Sequence, residues 1–544
     1  MLGLMQDQSL SVPLLMDRME YVFGHKKIVD VQGNSGPART FTYAQVANRV
    51  RQLSTALEDL GVSQSARVAT LAWNSLEHVE LYLAVPSTGR ILHTVNPRLF
   101  DGHVKYIMND ATPEVVFIAA SLLDKWWDLL QSLESVRWIV VIEDAPEQPI
   151  PTDDRVLRYE ELLADSKPFS GDFYIEDDRT AASLCYTSGT TGNPKGVLYD
   201  HRSIILHALQ LQLADTFAIQ EADTILPMVP LFHVNAWGLV HAAIMSGATL
   251  VLPGAITDAR GILSMMQDYR VTFSAAVTSV WSRCAQEEDL SAWDLSSVRA
   301  IVSGGGPIPA VLADKYLSAA SIPLIGAWGL TETSPVVSNG RVVSAQQEAD
   351  FETKRDLNAS AGVPIPLARI RVVNEAGERV AQDGQDFGEL QVAAPTAAKS
   401  YFGSTDRLDG FTEDGWLKTG DIATFDQFGY IRIVDRAKDL IKSGGEWIPS
   451  VQLEDAILKH PKVLEVSVVA VQDAKWGERP VAFVITAEGE NLQPSDVKDF
   501  LQDKVARWWI PEQINIVETF PRTATGKISK KSLRDQVGEG IFAQ

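Results

Sequence analysis

Residues Tyr186 to Val197 read "YTSGTTGNPKGV", a stretch that concentrates glycines, hydroxyl side chains, a proline and one lysine. Small residues let the backbone turn sharply and approach a ligand closely, and their amides can form an anion-binding concavity. The Walker A pattern requires Gly-Lys followed by Ser or Thr, whereas Lys195 follows a proline and precedes Gly196. The stretch therefore predicts a phosphate loop of a different kind, with a flexible surface turn as the alternative.

The composition limits the classes of function. The chain has 544 residues, 45% hydrophobic and 22% charged, which is ordinary for a globular protein of more than one domain. Its formal charge of -22 argues against general binding to nucleic acid. The two cysteines, Cys185 and Cys284, are too few for a disulfide framework or a zinc cluster, and we expect them to be buried. The start, "MLGLMQDQSL", lacks a secretory signal pattern, and no later apolar run looks membrane-spanning, so we expect a cytoplasmic protein.

The pattern of short apolar runs predicts an α/β fold. Through the first part of the chain, helical patterns alternate with β-branched runs at 66–73, 113–120, 137–144, 248–254 and 298–306. Such alternation favours largely parallel sheets covered by helices. From about residue 362 the pattern of residue types changes, as in "GVPIPLARIRVVNEAGERV". This pattern predicts a small β-rich subdomain of antiparallel strands. A further short α/β pattern follows and predicts a separate C-terminal domain of about 110 residues.

Four more motifs carry residues capable of chemistry: Glu332 in "GAWGLTETSP" at 326–335, Asp421 in "GWLKTGD" at 415–421, the basic cluster of "VDRAKDLIKSGGEW" at 434–447, and Lys527 in "PRTATGKISKKSLR" at 521–534. Taken singly, they read as a solvated carboxylate, a turn cap, a charged turn and a basic surface. Taken together and in this order, they resemble the adenylate-forming superfamily of acyl-CoA synthetases, luciferases and peptide-synthetase adenylation domains. The stretches "VPLFHVNAW" and "DLIKSGGEWI" look like the fatty acyl-CoA synthetases, including ligases for 3-methylmercaptopropionate.

The resemblance implies both an architecture and a reaction. The fold is expected to comprise an N-terminal domain at 1–434, with two α/β sheet subdomains and a small β-rich one, a hinge at 435–438, and a mobile α/β C-terminal domain at 439–544. The implied activity is that of an AMP-forming acyl-CoA ligase that uses ATP, Mg²⁺ and coenzyme A. Its acid is expected to be a short- or medium-chain fatty or thioether acid, with longer chains and a homodimeric state left open.

The resemblance also assigns contacts with the nucleotide and CoA. These fall on Thr187, Ser188, Gly189, Thr190, Thr191, Gly192, Lys195, Gly304, Gly305, Gly306, Trp328, Gly329, Thr331, Asp421, Arg436, Lys442, Gly444, Gly445 and Trp447. Thr187 and Glu332 are the expected metal ligands, since Mg²⁺ prefers oxygen. Asp421 is expected to accept from the ribose hydroxyls. Trp328 stands where the family usually has tyrosine, which leaves in doubt the contacts made by that hydroxyl.

The expected catalytic residues are Lys527, His233, Glu332 and Lys438, and the expected acyl-pocket residues are Val234, Trp237, Gly304, Trp328 and Val336. An attack of a carboxylate on a phosphate brings two anions together, so a fixed ammonium such as that of Lys527 stabilises the charge that develops. The resemblance places Lys438 at the pivot of the hinge. Taken without the family, His233 reads as a structural histidine and Trp237 as a core residue.

Three alternative functions remain at this point. An adenylation domain that loads a carrier protein uses the same first step, although the chain shows no carrier segment. A luciferase-like oxygenase also forms an adenylate, and an oxygen-dependent light assay would separate it. A nonenzymatic nucleotide sensor would have little need of Lys527. The combination of Lys527 with the hinge motif favours the ligase.

Overall fold

A computed structural model of the protein describes residues 3–32, 36–187, 193–405, 409–444, 446–487, 489–522, 528–538 and 541. The chain divides into two compact units, which comprise residues 1–369 with 393–417, and residues 370–392 with 418–544. We call them the first and the second unit. Both contain sheets and helices, so the predicted α/β fold is confirmed. The domain boundary at 434 and the hinge at 435–438 remain predictions.

The strands of the first unit are β1 Lys27–Asp30, β2 Arg39–Thr42, β3 Arg67–Leu71, β4 Ile91–Thr94, β5 Val115–Ala119, β6 Trp138–Ile142, β7 Val156–Arg158, β8 Ala181–Tyr186, β9 Gly196–Asp200, β10 Thr224–Pro227, β11 Thr249–Leu252, β12 Phe273–Val277, β13 Ala300–Gly304, β14 Leu324–Gly329, β15 Val336–Asn339 and β16 Val363–Pro364. One sheet has the order β7-β6-β5-β3-β4-β8-β9, and another has the order β16-β15-β14-β13-β12-β10-β11-β1-β2. The β-branched runs singled out in the sequence become β3, β5, β6, β11 and β13.

The helices of the first unit are α1 Pro13–Asp17, α2 Tyr43–Asp59, α3 Leu76–Ser87, α4 Asp101–Ala111, α5 Leu123–Ser132, α6 Tyr159–Ala164, α7 His201–Gln212, α8 Leu239–Ser246, α9 Ala259–Asp268, α10 Thr278–Glu287, α11 Ala310–Ala320 and α12 Phe351–Ala359. Every residue of α3 is buried, as expected of a helix that packs on all sides. Asp200 ends β9 and caps α7 by accepting a hydrogen bond from the Ser203 amide at 2.7 Å. This cap fixes the turn from β9 into α7.

Parallel pairing in the first unit sets where a ligand can bind. Strands β10, β12, β13 and β14 are parallel neighbours in that order, so their carboxyl ends meet at one edge of the sheet. In sheets of this kind, ligands bind in the crevice outside the carboxyl ends of the strands. Strands β8 and β9 form an antiparallel pair at the end of the other sheet. The predicted phosphate loop connects these two strands.

The strands of the second unit are β17 Arg369–Val373, β18 Phe387–Ala393, β19 Leu417–Phe425, β20 Ile431–Arg436, β21 Ile441–Ser443, β22 Glu446–Ile448, β23 Val463–Asp473, β24 Gly477–Thr486 and β25 Gln513–Ile516, and its helices are α13 Ser450–Leu458, α14 Pro494–Leu501 and α15 Lys530–Gly538. Strands β17 to β20 form one sheet in chain order, and β21 to β25 form another. These sheets correspond to the predicted β-rich and C-terminal patterns. Within the described ranges, no helix is both long enough and apolar enough to cross a membrane.

Candidate active site

The base of the predicted phosphate loop is closed by backbone hydrogen bonds. Tyr186 at the end of β8 pairs with Gly196 at the start of β9. Beyond this pair, the Thr187 amide donates to the Lys195 carbonyl at 2.9 Å, and the Lys195 amide donates to Thr187 Oγ1 at 3.1 Å. We call Thr187 and Lys195 the loop neck. The predicted contacts Ser188, Gly189, Thr190, Thr191 and Gly192 lie outside the described residues.

Close packing explains the glycine that follows the neck. A Cβ atom on Gly196 would lie 2.9 Å from Cβ of Phe402 and 3.1 Å from Cζ of Tyr186. The Gly196 carbonyl also accepts from the Phe402 amide at 2.8 Å. The absence of a side chain therefore lets the segment around residue 402 lie directly against β9, and this segment carries Tyr401 to the loop neck.

Lys195 and Glu332 are brought together by Tyr401. The ammonium nitrogen of Lys195 lies 2.7 Å and 2.6 Å from the two carboxylate oxygens of Asp409, and 4.7 Å from the ring centroid of Tyr401. The hydroxyl of Tyr401 donates to Oε1 of Glu332 at 2.7 Å. Burial, reinforced by the Glu332 carboxylate, raises the pKa of Tyr401, so its phenol remains a protonated donor at neutral pH.

The pair of Lys195 with Asp409 is exposed enough to exchange partners. Their side chains are 44% and 37% exposed. Ion pairs of this exposure contribute only about 0–1 kcal/mol. A phosphate group carries more charge than a carboxylate and would compete for the same ammonium. Asp409 can therefore hold Lys195 in place without preventing it from binding an anionic ligand.

The residues around Glu332 fit a magnesium ion bound partly by a substrate. Among the described residues, no group of three or more histidine, cysteine, aspartate or glutamate side chains is arranged to hold a metal. Mg²⁺ does not need such a group, because it usually takes one or two carboxylates and completes its shell with waters and substrate phosphates. A carboxylate has about four acceptor positions, of which Tyr401 occupies one on Glu332.

A second group of predicted residues lies at the carboxyl ends of β13 and β14. Gly304 is the last residue of β13, and Trp328 lies near the end of β14 beside it. Val336 begins β15 and pairs with Gly329. Gly305 and Gly306 follow β13 directly, and Gly305 has a φ of 78° that favours glycine. The predicted glycine loop and three of the predicted acyl-pocket residues are therefore neighbours.

The loop that follows β10 brings Trp237 to the same place. Val234, Asn235, Ala236 and Trp237 have φ values of 46°, 50°, 49° and 54°, and Gly238 continues the run with 74°. We call Val234–Gly238 the left-handed turn. Trp237 is buried, and the tip of its indole lies so close to Gly304 that a Cβ atom there would be 2.7 Å from Cη2. The turn thus places an aromatic ring against the end of β13.

Asn235 ties the left-handed turn to the strand that leads into the phosphate loop. Its Oδ1 accepts from Oγ of Ser183 at 3.1 Å and from Sγ of Cys185 at 3.4 Å. Burial raises the pKa of Cys185 to about 11 and that of Cys284 to about 12. Both thiols are therefore buried and protonated at neutral pH, as expected for residues that are not nucleophiles.

Two histidines flank the acyl-pocket residues. His233 is partly buried, and its amide donates to the Pro230 carbonyl at 3.0 Å. His207 on α7 is buried, and its Nε2 accepts from the Val336 amide at 3.2 Å. Burial lowers the pKa of His207 to about 3, so its imidazole is neutral and can act as this acceptor. Thr331, another predicted contact, accepts through its carbonyl from the Tyr199 hydroxyl at 2.6 Å.

In the second unit, the structure pairs Asp421 with Arg436. The two residues lie opposite each other on β19 and β20, and Nε of Arg436 is 2.5 Å from Oδ1 of Asp421. The Asp421 side chain is only 3% exposed, whereas that of Arg436 is 46% exposed. The Asp421 amide donates to Oγ1 of Thr419 at 3.1 Å. The buried carboxylate is thus held at a fixed position on the strand.

The remaining predicted residues of the second unit follow β20. Lys438 is exposed, and Lys442 pairs with Trp447 across the hairpin of β21 and β22. The ammonium of Lys442 lies 4.8 Å from the centroid of a Trp447 ring. Gly444 has a φ of 62°, and its amide donates to the Trp476 carbonyl at 2.7 Å. The predicted Gly445 and Lys527 lie outside the described residues.

Sequence reasoning missed several side chains of this region. Tyr401, Asp409 and His207 lie in stretches without a recognised motif, and Asn235 lies inside the motif "VPLFHVNAW" without a role assigned to it. Only the aromatic pair "YF" before a glycine at 401–403 offered a signal. The roles of these residues become visible once the fold places them beside the loop neck and the left-handed turn.

Comparisons with known proteins show the family of the chain. Residues 20–402 match the family described as AMP-binding enzyme, and residues 452–527 match the AMP-binding enzyme C-terminal domain. A long-chain-fatty-acid–CoA ligase of Thermus thermophilus is 40% identical over 98% of this chain and 96% of its own length. A 3-methylmercaptopropionyl-CoA ligase of Ruegeria pomeroyi is 36% identical over 98% and 99%. Among solved structures, the anthranilate CoA ligase AuaEII in complex with anthranoyl-AMP is 26% identical and superposes with a TM-score of 0.87 over 99% of this chain and 100% of its own. The chain belongs to the AMP-binding enzyme family.

Proposed function

We propose that the protein is an ATP-dependent, AMP-forming acyl-CoA ligase. It joins a carboxylic acid to AMP with release of pyrophosphate and then transfers the acyl group to the thiol of coenzyme A. The observation that carries this proposal is the contact chain from Lys195 through Tyr401 to Glu332 at the neck of a glycine-rich loop. Family membership over 20–402, and full-length relatives that are ligases of fatty and thioether acids, support the same reaction.

In the first half-reaction, an oxygen of the acid attacks the α-phosphorus of ATP, and the bond between that phosphorus and the oxygen bridging to the β-phosphate breaks. Lys195 would exchange Asp409 for a phosphate oxygen, and the lysine at 527 would stabilise the charge that develops. Thr187 and Glu332 would hold Mg²⁺, which supplies further positive charge beside the phosphates. The Tyr401 hydroxyl would keep the Glu332 carboxylate oriented throughout this step.

In the second half-reaction, the thiolate of coenzyme A attacks the acyl carbon and AMP leaves. No side-chain nucleophile is required, in agreement with the raised pKa values of Cys185 and Cys284. Asp421 and Arg436 would keep hold of the ribose and phosphate of AMP during the exchange. The predicted hinge at 435–438, with Lys438 as pivot, would let the C-terminal domain present different residues to the two steps. The segment "SGGEW" at 443–447 would then serve the pantetheine arm of CoA.

The acid is best described as a fatty or thioether carboxylic acid of short to medium length. Val234, Trp237 and Val336 are apolar and buried in one core cluster, and the Trp237 indole lies against Gly304. An amino group or a second carboxylate buried among them would lose its hydration without gaining a charged partner. Each methylene that enters such surroundings contributes about 0.8 kcal/mol, so specificity should rise with chain length until the indole of Trp237 blocks further extension.

One panel of assays tests the proposal. Pyrophosphate release is measured for linear acids from butanoate to hexadecanoate, for the thioether acid 3-methylmercaptopropionate and for an amino acid, each with and without coenzyme A. The expected result is release with the fatty and thioether acids and a CoA thioester as the final product. If no acid leads to pyrophosphate release, the proposed ligase activity is contradicted and a nonenzymatic nucleotide sensor is favoured. Adenylation without transfer to coenzyme A would favour a loader of carrier proteins.

The half-reactions can be separated with Lys527→Ala. This variant should lose pyrophosphate release from acid and ATP but retain thioester formation from supplied acyl-AMP. Lys531→Ala changes a nearby exposed lysine and serves as the matched control. Equal loss of both half-reactions in Lys527→Ala would contradict the assignment of this lysine to adenylation.

A further inference from the structure

In the first unit, one buried asparagine joins three loops at the carboxyl ends of strands. Asn74, in the loop after β3, donates through Nδ2 to the carbonyls of Pro227 at 2.8 Å and Val229 at 3.0 Å. Its Oδ1 accepts from the Leu231 amide at 2.8 Å, and its carbonyl accepts from the Gly254 amide at 3.0 Å. The loops after β3, β10 and β11 are therefore fixed against one another.

Two of these loops hold an arginine between aromatic rings. The ring centroids of Trp73 and Phe232 lie 6.2 Å apart, and the guanidinium carbon of Arg98 lies 5.5 Å from the first and 5.6 Å from the second. Stacking of this kind uses the face of a guanidinium, whereas its N–H donors point along the edges. Arg98 is exposed, and no carboxylate in the part of the chain that the structure describes forms an ion pair with it. Its N–H groups therefore remain available to a ligand.

A second arginine lies close to the first. Burial lowers the pKa of Arg98, and repulsion from Arg283 lowers it further, although a guanidinium stays charged at neutral pH. Arg283, on α10, donates through Nη2 to the Thr257 carbonyl, while its Nε is a buried donor that has no partner in the described ranges. An unpaired buried donor and two like charges held near each other both cost free energy. A bound anion would remove both costs.

This pair of arginines points to an anion with several oxygens. The chain has 70 acidic and only 48 basic residues, so carboxylates are plentiful, yet none of those described pairs with either arginine. A guanidinium matches the geometry of a phosphate group, to which it can donate two parallel hydrogen bonds. Trp73 follows β3, which lies on the opposite side of β4 from β8, the strand that ends at the loop neck. The pair is therefore an anion site separate from the phosphate loop.

Coenzyme A is the substrate whose charges suit such a site. The phosphates of ATP are assigned to the loop neck, and the carboxylate of the acid must lie at the reacting phosphorus. Coenzyme A carries a diphosphate and a 3′-phosphate that are remote from its thiol, so these groups bind away from the reaction centre. Phe232 directly precedes His233 and the left-handed turn, and the arginine pair thus lies beside the loop that leads to the acyl-pocket residues.

We propose that Arg98 and Arg283 form a binding site for the phosphate groups of coenzyme A, an inference that rests on the proposed acyl-CoA ligase activity. The rings of Trp73 and Phe232 orient the Arg98 guanidinium, and its edge donates to phosphate oxygens. Loss of one hydrogen bond between charged groups weakens binding about 10-fold or more. Because the site contacts only the remote end of coenzyme A, its loss should affect the affinity for this substrate and not the chemical steps.

The test measures KM and kcat for coenzyme A in thioester formation, and pyrophosphate release from acid and ATP without coenzyme A. Arg98→Met keeps an apolar chain between the rings and should raise KM for coenzyme A about 10-fold or more, with kcat and pyrophosphate release unchanged. Arg283→Gln should act in the same direction. Arg98→Lys should give an intermediate KM, because it keeps the charge but loses the planar fork. Arg270→Gln, which removes an arginine with a 67% exposed side chain, should leave KM unaltered.

A substrate analogue distinguishes the phosphate groups. With 3′-dephospho-coenzyme A, a penalty of Arg98→Met that disappears assigns the arginine to the 3′-phosphate, and a penalty that persists assigns it to the diphosphate. Inorganic phosphate should compete with coenzyme A in the unmodified protein and compete less in Arg98→Met. Retained pyrophosphate release and an unchanged thermal midpoint Tm report that the variants are folded.

Three results would overturn the inference while leaving the ligase activity intact. The first is an unchanged KM for coenzyme A in both Arg98→Met and Arg283→Gln. The second is a raised KM for ATP in place of that for coenzyme A, which would assign the arginines to the nucleotide. The third is loss of pyrophosphate release in Arg98→Met. Failure of the unmodified protein to form any coenzyme A thioester would instead contradict the proposed function.

Discussion

The contact of Trp237 with Gly304 predicts the outcome of adding one methyl group. The substitution Gly304→Ala is compatible with the φ angle of residue 304, because this residue ends a strand and is not in the left-handed region. Its new Cβ, however, would lie 2.7 Å from Cη2 of Trp237 and 3.0 Å from the Ala327 carbonyl oxygen. Carbon atoms pack best at about 3.5–4.0 Å. The indole would therefore have to move by about 1 Å, since the strand behind Gly304 is fixed.

The expected cost follows from this overlap. Overpacking of a filled core typically lowers the free energy of unfolding by about 1–3 kcal/mol. The methyl group also occupies space that an acyl chain would use, and each lost methylene removes about 0.8 kcal/mol of binding. We therefore expect Gly304→Ala to lower kcat/KM most for the longest acids that the unmodified protein accepts, so that the preferred chain becomes shorter.

A double-mutant cycle identifies the source of the cost. The free energy of urea unfolding and kcat/KM for acids of graded length are measured for the unmodified protein, Gly304→Ala, Trp237→Ala and the double variant. Trp237→Ala removes the indole, so the preferred chain should lengthen and Gly304→Ala should be less costly in this background, with a coupling energy of about 0.5–3 kcal/mol. Gly306→Ala is the matched control for the free energy of unfolding alone, because the nearest atom to its Cβ, Oγ1 of Thr278, lies 3.9 Å away.

Two results would refute this reasoning. If Gly304→Ala costs the same with and without the indole, the clash is with the Ala327 carbonyl and Trp237 does not limit the space. If Trp237→Ala leaves the preferred chain length unchanged, the indole does not end the acyl pocket, and the specificity proposed for it is wrong.

Three further predictions concern other parts of the site. Tyr401→Phe removes the hydroxyl that donates to Glu332, and a hydrogen bond to a charged group contributes about 1.5–3 kcal/mol. The variant should therefore need a higher Mg²⁺ concentration for half-maximal pyrophosphate release. An unchanged Mg²⁺ requirement would contradict the role of Glu332 as a metal ligand. Asp421→Ala should weaken the binding of ATP and AMP in calorimetry, and equal affinities in variant and parent would remove this carboxylate from the nucleotide site. His207 stays neutral when folded down to pH about 3, while an ordinary imidazole takes up a proton below about 6.5, so acidification through this window favours the unfolded state. His207→Asn should therefore reduce by about one the protons taken up on unfolding, as measured from the slope of stability against pH, and an unaltered slope would contradict a buried neutral His207.

The fold was largely predictable because its signals are local. Runs such as 113–120 and 137–144 are short, β-branched and bounded by polar residues, and they form β5 and β6. The glycine- and hydroxyl-rich stretch at 186–197 predicted a loop, and it spans the connection from the end of β8 to the start of β9. Buried parallel strands and glycine-rich connections depend mainly on neighbouring residues in sequence, so one sequence suffices to recognise them.

The contacts of the candidate site were less predictable because they join distant segments. Asp409 lies more than two hundred residues from Lys195, and Tyr401 is similarly distant from the loop neck. Nothing in the local sequence distinguishes Asp409 from the many other acidic residues of this chain. The left-handed turn was missed for a different reason: Val234, Ala236 and Trp237 are ordinary helix or strand formers, and tertiary packing imposes positive φ values on them.

The left-handed turn also affects how this part of the protein opens. For most residues with a side chain, a left-handed conformation costs about 1–2 kcal/mol each, so Val234, Ala236 and Trp237 hold several kcal/mol that are recovered when the turn relaxes. The bonds to Asn235 and the packing of Trp237 must outweigh this cost in the folded state. Local opening here should therefore require less energy than opening of the adjacent β10 or α8. Backbone amides of the turn would then exchange with solvent deuterium through partial unfolding events that leave the two sheets intact.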